Sequence, residues 1–129
     1  MIQQKNKMFG IGLLLSSLAL PSLVFGASLY FNSPSGAEIG VGQTVPVEVL
    51  LDADGQNLNA VELGVIYNKN FLEPVGFKDG GSIVQFWVER PDLSAEKLVF
   101  KGIMPNGFNW QKGLIGTLDF KTSQVIPNA

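Results

Sequence analysis

From residue 28 onward, apolar and polar residues alternate with a period of two, the spacing that sends successive side chains to opposite faces of a strand. Ser28–Asn32 predicts a first short strand, stopped by Ser33-Pro34-Ser35-Gly36. Thr44–Leu51 sets Val45, Val47, Val49 and Leu51 against Pro46, Glu48 and Leu50. Asp52–Asn57 then turns the chain, because Asp, Asn and Gly supply local side-chain hydrogen bonds and positive φ. Asn59–Tyr67 alternates again, with Val61, Leu63, Val65 and Tyr67 on one face and Ala60, Glu62, Gly64 and Ile66 on the other. Asn68-Lys69-Asn70 and Lys78-Asp79-Gly80-Gly81 bracket a short strand over Leu72–Phe77. Ser82–Glu89 is rich in β-branched and aromatic residues. Arg90–Glu96 breaks the pattern and has room for one helical turn. Lys97–Ile103 forms a further strand, Pro105-Asn106-Gly107 a loop, and Leu114–Lys121 the last strand. Such a run of strands with turns between them and no helical period predicts an all-β, antiparallel β-sandwich. Its expected core comprises Val47, Val49, Val61, Leu63, Val65, Leu98, Phe100, Leu118 and Phe120.

The first 26 residues follow another rule. Lys5 and Lys7 form a positive head, Met8–Leu20 is uncharged and mostly apolar, and Pro21 breaks the run before Val24-Phe25-Gly26. This is the layout of a cleavable signal peptide over residues 1–26, leaving a domain over 27–129 and an extracellular or cell-surface destination. A membrane span needs roughly 20 apolar residues, whereas this run is shorter and holds Ser16 and Ser17. The intact mass of exported protein is expected to place its N-terminus at Ala27, within about two residues of the cleavage pattern. Retention of Met8–Leu20 would mean a membrane anchor instead.

Composition narrows the chemistry. Hydrophobic residues make up 46% of the 129 and charged residues 16%, enough apolar material for one domain core. The chain contains neither cysteine nor histidine. Disulfides, thiolate metal sites and lipidation at cysteine are therefore absent, and so is the commonest general base. Loss of residues 1–26 removes two of the nine cationic residues and none of the eleven acidic ones, taking the net charge from −2 to −4. An acidic domain without a basic stripe is a poor partner for nucleic acid.

Three constellations offer chemistry. Glu62, Glu73, Glu89 and Glu96 are candidate carboxylates for glycoside hydrolysis, though each stands where a solvated strand face or loop edge would carry a charge anyway. Asp52, Asp54, Asn57 and Asn59 supply hard oxygen ligands suited to calcium, without the full loop pattern or a terminal Glu. Trp87 and Trp110 could stack on sugar rings, Trp110 from the loop Gly107–Gly113. Packing in the core or at its rim is the simpler role for both. The expectation is therefore a non-catalytic module with no cofactor and no metal.

The order of motifs resembles the cohesin domains, in particular the type II-like members. Val41-Gly42-Gln43-Thr44-Val45-Pro46-Val47-Glu48-Val49 is followed by Gln56–Glu62, Tyr67-Asn68, Phe71-Leu72-Glu73-Pro74-Val75 and Gly80-Gly81-Ser82-Ile83. Trp87-Val88-Glu89 and Lys97–Phe100 with Gly102 continue the series to about residue 121. The resemblance implies a jelly-roll sandwich that holds a dockerin-type protein module in extracellular polysaccharide-degrading or cell-surface assemblies. It also implies that the C-terminal strands of a nine-stranded fold are missing from this chain, leaving an open sheet edge. A carbohydrate-binding module on the same fold, or a structural adhesion domain, is the alternative. In the family the third, fifth and sixth strands share the sheet that receives the partner. Transferred by alternation, the partner-binding set is Glu62, Ile66, Gln85, Trp87, Glu89, Val99, Lys101 and Ile103, with Val84, Phe86 and Val88 turned inward.

Overall fold

The computed structural model describes residues 2–10, 26–33 and 39–123, the first of these as backbone. The apolar run after Gly10, Pro21 and the Val24-Phe25 part of the cleavage pattern lie outside the described residues. The described chain is all-β: β1 (Ile2–Gly10), β2 (Ser28–Asn32), β3 (Thr44–Asp52), β4 (Leu58–Tyr67), β5 (Leu72–Lys78), β6 (Phe86–Glu89), β7 (Leu98–Phe108) and β8 (Gly113–Thr122). They form two antiparallel four-stranded sheets, ordered β1-β4-β7-β6 and β2-β3-β8-β5.

Burial follows the alternation. All nine expected core residues are buried, with Val49, Val65, Leu98, Phe100, Leu118 and Phe120 fully enclosed. Both sheets feed one core cluster, which makes the protein a two-layer β-sandwich. Ring pairs cross between the layers. Phe77 of β5 meets Phe100 of β7 with centroids 5.3 Å apart, and Tyr67 of β4 meets Phe120 of β8 at 5.4 Å. Phe77 also reaches Trp87 of β6. These contacts set β5 over β6 and β7, and β8 over β4.

Ile2–Gly10 lies as an edge strand beside β4, from Ile2 opposite Tyr67 to Phe9 opposite Ala60. Three segments depart from the sequence-based expectation. The strand expected over Ser82–Glu89 is confined to Phe86–Glu89. Its first half crosses between the sheets, with the Ile83 N–H donating to Leu114 of β8 and the Gln85 N–H to Ile103 of β7. Ser82 fixes that crossing locally: its hydroxyl donates to the Ile115 carbonyl at 2.6 Å and accepts from the Val84 N–H at 2.9 Å. Pro105-Asn106-Gly107, expected as a loop, lies inside β7, where a register shift opposite Leu58 and Ala60 absorbs the irregular residues. Finally, Leu93–Lys97 makes turns and bends rather than a helical turn, and the Ala95 N–H donates to the Asp92 carbonyl.

Candidate functional site

The third, fifth and sixth strands of the domain, β4, β6 and β7, share one sheet in the order β4-β7-β6. Val61, Leu63 and Val65 of β4 and Leu98, Phe100 and Met104 of β7 are buried between the layers. The intervening residues therefore form the outer face. Cross-strand register arranges them in rows: Gly64 beside Val99, then Glu62, Lys101 and Glu89, then Ala60, Ile103 and Phe86. Lys101 and Glu89 approach to 3.6 Å. Directly opposed charges of unlike sign on a solvated sheet face contribute only a few tenths of a kcal/mol, so this pair orients more than it stabilises. Of the expected set, Glu62, Glu89, Val99, Lys101 and Ile103 are thus gathered on one surface. Ile66 lies further along β4, half-buried and opposite Gln3 of β1. Gln85 is exposed at the entry to β6.

Trp87 is not on that surface, and the facing expected for β6 is corrected. Phe86 is 63% and Val88 65% exposed, whereas Trp87 is half-buried against the core. The cause is steric and local. Trp87 stands opposite Gly102, the one inward position of β7 with no side chain. A Cβ on Gly102 would lie 2.5 Å from Cγ1 of Val84, so the small residue leaves the space that Val84 fills beside the Trp87 pair position. A register shift between Trp87 and Glu89 then makes Val88 the extra residue and returns Glu89 to the outer row beside Lys101. Phe86 and Val88 are consequently members of the outer face that alternation alone assigned to the core.

The Trp87 indole is built into the end of the sandwich. It meets Phe77 edge-on at 5.5 Å and Phe100 at 6.4 Å. The Arg90 guanidinium lies over both exposed flanks, 5.3 Å from the Phe77 ring and 5.5 Å from the Trp87 ring. Asp79 holds that guanidinium through a 2.8 Å bond from Nη1 to Oδ2. The hydrogen bond from Arg90, then its charge, keep the Asp79 carboxyl below its ordinary value, with a lesser contribution from Trp87. The bracket therefore stays charged at neutral pH and is lost as the pH falls below the ordinary carboxylate range.

The remaining candidates are separated by the fold. Glu73 lies on the other sheet opposite Lys121, and Glu96 pairs with Lys69 at 2.9 Å, which holds its carboxyl below the ordinary value. Glu62 and Glu89 flank Lys101 on an open face. No two of these carboxylates line a cleft together, and a general acid needs a raised pKa, the opposite of the Glu96 shift. In the Asp52–Asn59 turn, the Asp52 carboxylate accepts the Asp54 N–H at 2.9 Å, so it serves the turn itself. Among the described residues no group of three acidic side chains converges on a point. Trp110 is 72% exposed on the β7–β8 connection, whose backbone is tied down by the Ala53 N–H donating to the Trp110 carbonyl.

The site is thus a rigid, open sheet face carrying Phe86, Val88 and Ile103 beside an ion-paired row. No family model, no curated protein and no solved structure matches the chain.

Proposed function

We propose that the protein is a secreted, non-catalytic attachment module of cohesin type, acting outside the cell or at its surface, and that the outer face of β4-β7-β6 receives a dockerin-type protein module. The observation that carries this reading is the exposure of Phe86, Val88 and Ile103 together on one sheet face. Exposed apolar residues clustered beside charges of both signs mark partner surfaces more often than solvated ones. The placing of β4, β6 and β7 in one sheet agrees with the resemblance, which in turn supports a jelly-roll path for the whole domain. An open face that mixes apolar and charged residues suits a protein partner better than a sugar chain, which calls for a row of aromatic platforms. Phe86 is the anchor, and Lys101, Glu89 and Glu62 set orientation.

The reading is tested by titrating the exported protein against a panel of dockerin modules. Phe86→Ala is expected to weaken the bound member by about 2 kcal/mol or more, as loss of a central anchor does. Its melting temperature should hardly move, because the ring is mostly in water. Unchanged affinity in Phe86→Ala, or no binding across the panel while an oligosaccharide series binds, would overturn it.

A further inference from the structure

The outer face of β6 and β7 is complementary to itself. Register places Lys101 beside Glu89 and Ile103 beside Phe86, one pair in each of two neighbouring rows. Strands stand about 4.8 Å apart and successive rows on one face about 7 Å, so these four side chains mark the corners of a small rectangle. A two-fold axis parallel to the strands, midway between β6 and β7, sets β7 of one copy over β6 of another and keeps each row opposite itself. Lys101 then faces Glu89 of the second copy, twice over, and Ile103 faces its Phe86, twice over. The four charges alternate in sign around a square, each copy contributing the pair that already approaches to 3.6 Å within it. The apolar row leaves water on both sides of the axis, with the exposed Val88 at its rim. Other registers fit less well. An axis centred on β7 would set Lys101 against Lys101 and Glu62 against Glu89, and like charges so opposed repel. An axis between β4 and β7 would match Glu62 with Lys101, but Ile103 would then meet only Ala60.

We propose that this half of the outer face closes on a second copy of the chain, in a two-fold dimer built from β6 and β7. Lys101 and Glu89 fix its register, and Phe86 and Ile103 supply most of its attraction. The contact spans two strands of each copy, which is small for a permanent interface, so the dimer forms reversibly. β1 lies at the far edge of the same sheet and takes no part. The inference stands apart from the dockerin reading, since it needs this chain alone. Phe86 serves both, so dimer and partner exclude each other, and the second copy keeps the apolar row out of water until a partner displaces it.

The test mixes charge variants. Light scattering on the exported protein should give a mass that rises with concentration from one chain toward two. Lys101→Glu and Glu89→Lys should each weaken self-association by at least about tenfold, because like charges then meet across the axis. Both side chains are partly in water, and circular dichroism should show each variant folded. An equimolar mixture of the two should recover the association, since the reversed position of each then meets its opposite charge in the other. Glu62→Lys should leave self-association as it was, and Phe86→Ala should weaken it by about tenfold or more. A mass that stays at one chain at every concentration, two variants that stay apart when mixed, or recovery on mixing Lys101→Glu with Glu62→Lys would each overturn the proposal. In the first two cases the face is left to a partner of another kind, which titration against dockerin modules reads by itself.

Discussion

Phe100→Ala is expected to lower the free energy of unfolding by about 3–5 kcal/mol, the cost of emptying a large buried aromatic site. Phe100 is fully buried in the first half of β7. Its ring joins the two layers, meeting Phe77 of β5 edge-on at 5.3 Å and Trp87 of β6 at 6.4 Å. Leu63 stands opposite it on β4. Truncation therefore removes contacts with three neighbouring strands at once. The backbone around the site is held by sheet hydrogen bonds on both sides of β7, so the cavity has little freedom to collapse. Urea unfolding followed by far-UV circular dichroism measures the loss. A change below about 1 kcal/mol would mean that β7 presents its other face to the core, and with it that Val99, Lys101 and Ile103 are not on the outer surface.

The legibility of the fold varied along the chain for physical reasons. In β8 a register shift against Val49 and Leu50 buries Ile115 together with Leu118 and Phe120, whereas over Thr44–Leu51 and Asn59–Tyr67 the period of two extends through eight or more residues with one face buried. A slip of one residue would there turn every apolar side chain outward, so the pattern fixes both element and facing. The same alternation correctly placed Glu62, Lys101 and Ile103 on one surface. In Phe86-Trp87-Val88-Glu89 three consecutive apolar residues carry no period. What decides their facing is Gly102 across the ladder and the register shift before Glu89, both non-local. Ser82–Gln85 has strand-like composition, but its N–H groups are shared between two sheets, a division that composition does not encode. Pro105 and Gly107 are turn-forming residues by type, and only the register shift opposite Leu58 and Ala60 keeps them in a strand. The pairing of Ile2–Gly10 is likewise non-local: it depends on the edge of β4, from Leu58 to Tyr67.

Trp87→Ala should act on the fold rather than on the partner. The indole has Phe77 edge-on at 5.5 Å, the Arg90 guanidinium 5.5 Å from its ring, and Phe100 at 6.4 Å. Full truncation of a buried aromatic costs about 3–5 kcal/mol. Trp87 is half-buried, which brings the expected loss to about 2–4 kcal/mol, the area in water contributing nothing. Phe86→Ala, one residue away on the opposite face, should stay within about 0.5 kcal/mol of the parent, as exposed substitutions do. The two neighbours thus separate stability from recognition: Trp87→Ala lowers the urea midpoint, and where it remains folded it keeps its affinity for a dockerin module, while Phe86→Ala does the reverse. Arg90→Ala supplies an intermediate check. It removes the cation above the two rings without opening the core, a loss of about 1 kcal/mol, and should shift Trp87 fluorescence as the exposed flank of the indole meets water. If Trp87→Ala left the midpoint unchanged and abolished partner binding, the indole would belong to the outer face. The bracket of Asp79 and Arg90 would then have to be reinterpreted as part of the binding surface.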